Sequence, residues 1–185
     1  MNTLTLMYDD HTQPRIATTE ASQRQQRFLD ALEPVSGRLR RYAEACCKNI
    51  HDAEDLVSET ILIAYKQFDN IRTDSAFFFY LITIARRLHR KRVWKRRIFG
   101  ELSDDHEEHY SVYDTPPDVR ADISTLYAAL DSLPSAMKET VVLFELSGLS
   151  LEEIQRIQGG SLSGVKSRLT RGRERLAALL RDNES

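Results

Sequence analysis

The residues best suited to chemistry lie near the end of the chain. Ser163, Ser167, Thr170 and Arg171 recur at helical spacing, with Lys166, Arg168 and Arg173 on their flanks. Short hydroxyls at this spacing can hydrogen-bond base edges while the cations hold phosphates. The stripe Val165, Leu169, Gly172 and Leu176 on the other side would dock such a helix. A second concentration is Arg86, Arg87, Arg90, Lys91, Arg92, Lys95, Arg96 and Arg97, with no acid among them. Tyr80, Thr83, Arg87, Arg90, Lys91 and Trp94 share one helical face, with Phe79 at its edge. Rings interleaved with cations suit single-stranded nucleic acid, each stacked base contributing ~1–3 kcal/mol. Phe77 to Tyr80 are four consecutive aromatics, which cannot all face inward on one helix, so Phe79 or Tyr80 is expected at the surface. A third group is acidic: Asp52, Asp55 and Glu59 lie beside Leu62, an apolar residue with no obvious core to enter. Acids early in a helix serve its dipole and solubility; with an unpaired leucine they could also dock a basic protein partner.

Other chemistry finds little support. Cys46 and Cys47 are adjacent, which disfavours a mutual disulfide and offers no metal-ligand spacing, so they read as small buried side chains. The histidines form no metalloprotease pattern; His106 and His109 lie in an acidic, loop-like stretch. There is no phosphate loop and no nucleophile–base pair, so no enzyme activity, cofactor, metal or small-molecule substrate is expected. The 185 residues carry 26 Lys and Arg against 28 Asp and Glu. That balance hides segregation. The basic run is followed by Glu101, Asp104, Asp105, Glu107, Glu108, Asp114 and Asp118, and charge so separated steers polyanions. No apolar run approaches the ~20 residues that span a bilayer, and no export signal is visible, so the expected location is the cytoplasm.

These groups need helices to position them. Glycine and proline are scarce and strand-like alternation is absent, which predicts an all-α protein. Residues 1–21 read as a disordered tail. Helices are expected from Ala21 or Ser22 to about Leu32, from Pro34 to about Lys48, from Asp52 or Ala53 to Phe68, and from Ser75 to about Arg97, with Asp69–Asp74 as a loop. Pro34 interrupts the first of these patterns and suits the opening of the next. On the third helix, Ala53, Val57, Thr60, Ile61, Ala64 and Phe68 form the core-facing stripe. Residues 98–120, with Gly100 and Pro116–Pro117, read as a flexible acidic linker. Further helices begin at Ala121, at Ser135 and at Ser150, where Glu153 completes a capping box. The last covers Leu162–Arg181 after a Gly159–Gly160–Ser161 turn. The architecture is two small helical domains, 22–97 and 121–182, joined by the linker.

In this order the motifs resemble the extracytoplasmic-function (ECF) type of bacterial sigma factor, in the sigma-70 family. Asp52-Ala-Glu-Asp-Leu-Val-Ser-Glu-Thr60 is similar to the region 2 signature, and Tyr80-Leu-Ile-Thr-Ile-Ala-Arg-Arg87 to the helix that follows it. Leu130-Asp-Ser-Leu-Pro134, Leu149-Ser-Leu-Glu-Glu-Ile154 and Val165-Lys-Ser-Arg-Leu-Thr-Arg171 resemble region 4. The resemblance covers residues 25–97 and 122–180.

It implies a promoter-recognition subunit. Region 2 would bind the clamp helices of the largest polymerase subunit through Asp52, Asp55, Glu59 and Leu62. It would melt and read the −10 element with Asp69, Asn70 and Arg72 of the loop and with Phe79, Tyr80, Thr83, Arg87, Arg90, Lys91 and Trp94. Region 4 would set Ser163, Lys166, Ser167, Arg168, Thr170, Arg171 and Arg173 into the major groove at the −35 element and touch the polymerase flap. The linker would thread toward the RNA exit channel. Core RNA polymerase and promoter DNA are the implied partners, and an anti-sigma factor is a candidate third. Arg87 stands where the family has asparagine, Ser163–Gly164 where it favours Gly–Thr, Gly160 where an apolar residue packs, and Gly172 in place of alanine, costing up to ~1 kcal/mol of helix propensity. The competing expectation is a stand-alone helix-turn-helix regulator, which would need only the C-terminal part.

Overall fold

The computed structural model describes residues 13–70, 74–99 and 117–182. The first half of the tail, Arg72, and residues 100–116 with most of the linker acids, His106 and His109 lie outside them. Among the described residues there are seven α-helices and no strand.

Helix α1 (Gln13–Cys46) is continuous through Pro34. This differs from the two helices expected. The proline removes one backbone hydrogen bond, but Phe28, Leu39 and Tyr42 are buried and Leu32 and Val35 partly so. An uninterrupted apolar stripe at three- and four-residue spacing therefore crosses the proline, which sits on the exposed side. Packing of that stripe outweighs the local breaker.

Helix α2 (Ile50–Lys66) opens on Asn49, whose side chain accepts the Asp52 N–H at 2.8 Å. Its most buried residues are Ala53, Leu56, Thr60 and Ala64, so the stripe is rotated from the expected one by the inclusion of Leu56. The Thr60 hydroxyl stays satisfied by donating to the Leu56 carbonyl at 2.7 Å. A 3-10 turn, Phe68–Asn70, leads toward α3 (Asp74–Phe99). It is anchored by an edge-to-face cluster in which the Phe28 ring lies 5.1 Å from Tyr65, 5.2 Å from Phe68 and 5.7 Å from Phe77.

The C-terminal half holds α4 (Pro117–Asp131), α5 (Ser135–Val141), α6 (Leu151–Gln158) and α7 (Leu162–Asp182). Helix α5 runs into a π turn, Val142–Leu146, closed by the Ser147 N–H on the Val142 carbonyl at 3.0 Å. Helix α6 has the expected capping box between Ser150 and Glu153. Gly159 and Gly160 take φ of 79° and 82°, and a Cβ at either would meet nothing within 4 Å. Backbone conformation, not crowding, calls for glycine there.

The two halves are not held apart. Phe28, Leu39, Phe78 and Ile82 belong to the same apolar cluster as Val142, Leu143, Leu149 and Ile154. From α1, the Arg38 guanidinium donates to the Ser147 carbonyl at 2.9 Å and to Gly148 at 3.2 Å, supplying a cation where the helix carbonyls are unsatisfied. From α3, Arg86 forks onto Glu139 of α5.

Candidate nucleic-acid and partner interface

The acidic face of α2 divides in two. Asp52 accepts from Arg96 at 2.7 Å, and Glu59 from Arg92 at 2.7 Å, both cations coming from α3. Arg92 also reaches the Asp52 carbonyl at 3.2 Å. Partly exposed ion pairs of this kind contribute only ~0.2–1 kcal/mol each, so they orient the two helices more than they stabilise them. Asp55 stays exposed and bears no ion pair among the described residues; Leu62 is 53% exposed. The part of this face left exposed and outside the ion pairs is therefore centred on Asp55 and Leu62.

The turn before α3 is tied to α1. Asp69 accepts from Arg24 at 2.7 Å, and the same guanidinium donates to the Tyr65 carbonyl at 2.7 Å and covers the Tyr65 ring at 4.7 Å. Along α3, Phe77 and Phe78 are buried, whereas Phe79 and Tyr80 are both half-buried. Neither stands free, as had been expected of at least one. The Tyr80 hydroxyl donates to Gln67. The Phe79 ring lies under the Arg156 guanidinium of α6, 4.8 Å from its centroid. Thr83, Arg87, Arg90 and Lys91 are exposed, and Trp94 is 62% exposed. These residues share a face with the periodicity of the sequence, and Arg86, Arg92 and Arg96 lie off it. A cleft of about 760 Å³ opens where Arg90, Trp94 and Arg97 of α3 face Lys138, Arg168 and the Gly159–Gly160 turn.

Helix α7 begins under a local cap, the Ser161 hydroxyl accepting the Gly164 N–H at 3.1 Å. It buries Val165, Leu169 and Gly172 and exposes Ser163, Lys166, Ser167, Thr170 and Arg171. Arg171 leans back on the Ser167 hydroxyl at 2.8 Å. Of the predicted phosphate-holding cations, Arg168 is turned inward and Arg173, though exposed, is engaged by a surface ion pair. Arg168 is half-buried and donates to Gln158 at 3.1 Å, while its Nε is buried without a partner. Arg173 pairs with Glu145 and lies over the Phe144 ring at 5.0 Å. Gly172 has a packing reason that sequence alone did not disclose: a Cβ there would come within 2.7 Å of Val141 Cγ2.

Sequence reasoning also missed the residues that join the halves, Arg38, Arg86, Glu139 and Arg156. Arg86 carried no signal, since it lies one turn before Arg90 on the side away from the buried stripe. Glu139 carried none, because a lone acid in a short amphipathic helix reads as solvated. No group of His, Cys, Asp and Glu among the described residues forms a metal-binding cluster, and none of the described helices is long and apolar enough to cross a membrane.

Comparison with known proteins agrees with this arrangement. Sigma-70 region 2 matches residues 32–98, and Sigma-70, region 4 matches residues 123–176. The ECF RNA polymerase sigma factor EcfG of Rhodopseudomonas palustris is 35% identical, over 77% of this chain and 78% of that one. SigE of Mycolicibacterium smegmatis is likewise 35% identical, over 80% of this chain and 59% of its own length. Among solved structures, the sigma factor RpoE in complex with the anti-sigma factor NepR from Bartonella quintana superposes with a TM-score of 0.67 at 28% identity, covering 85% of this chain and 96% of that chain. CnrH in complex with the cytosolic domain of CnrY shares the fold, with a TM-score of 0.65 at 24% identity over 92% of this chain and 97% of that one. Both matched regions, in order and spanning the helices described above, establish that the chain belongs to the sigma-70 family as an ECF RNA polymerase sigma factor.

Proposed function

We propose a division of labour for this sigma factor in directing promoter-specific initiation by core RNA polymerase. The α2 surface around Asp55 and Leu62, bordered by Asp52 and Glu59, docks the clamp helices of the largest subunit. The −10 strand lies along Phe79, Tyr80, Thr83, Arg87, Arg90, Lys91 and Trp94, next to the turn that carries Asp69 and Asn70, with Arg72 of the following segment as a further contact. The −35 duplex receives α7 in its major groove through Ser163, Lys166, Ser167, Thr170 and Arg171. Arg173, exposed beside its surface partner Glu145, reaches phosphates from the flank, whereas Arg168 does so only after giving up Gln158. Region 4 also touches the polymerase flap. The chain acts in the cytoplasm by binding, with no catalytic step of its own.

The observation that carries this reading is the two-sidedness of α7: a buried stripe of Val165, Leu169 and Gly172 behind an exposed row of hydroxyls and cations. That division suits a helix that reads base edges while docked on its own domain. Arg87 places a cation where the family has the neutral asparagine, which favours a phosphate contact over a specific base contact. An anti-sigma partner is supported by the matched RpoE, which is held by NepR in its complex.

The test is transcription with core polymerase and the double variant Asp55→Arg with Leu62→Ser. These two lie outside the internal ion pairs, so α2 keeps its links to α3. Loss of the polymerase complex with unchanged duplex binding is the expected result. Normal complex formation would refute the assigned face. A stand-alone regulator would instead bind duplex tightly without polymerase, its affinity falling with salt at a slope of roughly −0.9 per phosphate contacted. Gel shifts at two salt concentrations, with and without polymerase, separate the two.

A further inference from the structure

We propose that the cleft lined by α3, α5 and α7 is a binding site for a free nucleoside polyphosphate. A nucleotide held there would occupy two residues of the face assigned above to the −10 strand, Arg90 and Trp94, although the site itself does not depend on that assignment.

The charge balance of the cleft calls for an anion. Its volume of about 760 Å³ falls in the range of about 300–1,000 Å³ usual for small-molecule sites. Arg86, Arg90, Arg97, Lys138 and Arg168 line it against a single acid, Glu139. Two of these cations are already answered, Arg86 by Glu139 at 2.6 Å and Lys138 by Asp131. Arg90 and Arg97 are exposed and bear no ion pair among the described residues. Arg168 donates to the neutral Gln158 at 3.1 Å, and its Nε is buried with no partner among the described residues. A buried guanidinium N–H without an acceptor is costly, and it marks a place for an acceptor from outside the chain. Three guanidiniums without a carboxylate exceed what one phosphate can answer, and each has the fork that phosphate oxygens fit.

The same cleft offers a seat for a base. Trp94 is the only tryptophan in the chain, and it lies on the α3 side, 62% exposed, beside Val93. An open indole among cations can stack a base while they hold its phosphates. The facing wall is the Gly159–Gly160 turn, which is bare of side chains; a Cβ added at either glycine would meet nothing within 4 Å. The family pattern has an apolar residue at Gly160, so the room at this wall comes with a departure of this chain from that pattern.

The experiment uses the full chain, with Trp94 emission as the readout and free tryptophan amide as the absorbance control. ATP or GTP should quench Trp94 saturably, and inorganic tripolyphosphate should displace either one. The bare nucleoside should bind at least about tenfold more weakly, because it leaves the guanidiniums unanswered. Arg97→Gln and Arg168→Gln should each weaken the nucleotide about tenfold, the worth of one charge-assisted bond. Arg97 is exposed, so its variant tests the site even if Arg168→Gln does not fold. Arg40→Gln makes the same change of charge at an exposed position of α1 outside the cleft, and should leave the affinity unaltered.

Emission that falls without saturating, or not at all, overturns the site. So does an equal loss in Arg40→Gln, which would make the attraction one of net charge alone. A nucleoside that binds as tightly as its triphosphate overturns the role of the three guanidiniums. Quenching by a single-stranded oligonucleotide, with free nucleotides inert, would return the cleft to the strand path and refute the proposal.

Discussion

Replacing Gly172 with alanine sets two effects of similar size against each other. Helix propensity alone favours alanine by about 1 kcal/mol at an interior position, and the family has alanine there. The structure opposes this. The added methyl would lie 2.7 Å from Val141 Cγ2, with Met137 O and Cβ at 3.6 and 3.7 Å behind it. Val141 is 2% exposed, and a β-branched side chain in a helix has essentially one rotamer to occupy. It cannot turn aside, so α5 and α7 must separate by several tenths of an ångström. Overpacking of that kind costs about 1–3 kcal/mol, which leaves Gly172→Ala destabilised by roughly 0–2 kcal/mol after the propensity gain. Urea unfolding should show a midpoint lowered by up to ~1 M at unchanged slope. Adding Val141→Ala removes the clashing methyls, so the double variant should be more stable than the sum of the two singles predicts. A Gly172→Ala midpoint above the wild type would refute the argument and reduce the glycine to a neutral departure from the family.

Two further outcomes follow from caps and titration. Burial lowers the His89 pKa from its ordinary 6.5, with Lys138, Arg96 and Arg92 adding repulsion and Glu139 opposing them. A depressed imidazole contributes stability that is complete above the unfolded value and is lost as pH falls through the folded one. The thermal midpoint should therefore drop between pH about 7.5 and about 5.5, and less steeply in His89→Gln. Ser150→Ala removes the acceptor of the Glu153 N–H and half of the α6 capping box; it should cost about 1 kcal/mol in urea unfolding, whereas Ser150→Asp should retain most of the stability.

Much of this was legible in the sequence, and the exceptions share a cause. Helix α6 announced itself through Ser150 and Glu153 because a capping box is local. The exposed row on α7 was legible because periodicity sorts hydroxyls from aliphatics. Pro34 misled because a breaker acts on its neighbours, whereas the stripe from Phe28 to Tyr42 that overrides it depends on α2 and α3. Asp52 and Glu59 looked free because Arg96 and Arg92 are 44 and 33 positions away. Phe79 looked free because Arg156 belongs to the other half of the chain. Spacing reveals what a helix can present, but not which residues elsewhere will cover it.

The basic run on α3 makes that distinction concrete. Read as a string, it is one cationic patch of eight residues. Folded, it serves three directions. Arg92 and Arg96, four apart, face α2 and complete its acidic edge. Arg86 turns to the C-terminal half and meets Glu139. Arg87, Arg90, Lys91, Lys95 and Arg97 remain exposed, and it is these that Trp94 interleaves. A nucleic-acid strand would therefore meet about five cations, not eight, and its salt dependence should be correspondingly shallower than the sequence suggests. Under the proposed assignment, the same partition lets one helix brace the docking surface and meet the strand. Residues that brace the α2 surface, residues that hold the halves together and residues left exposed alternate along one helix.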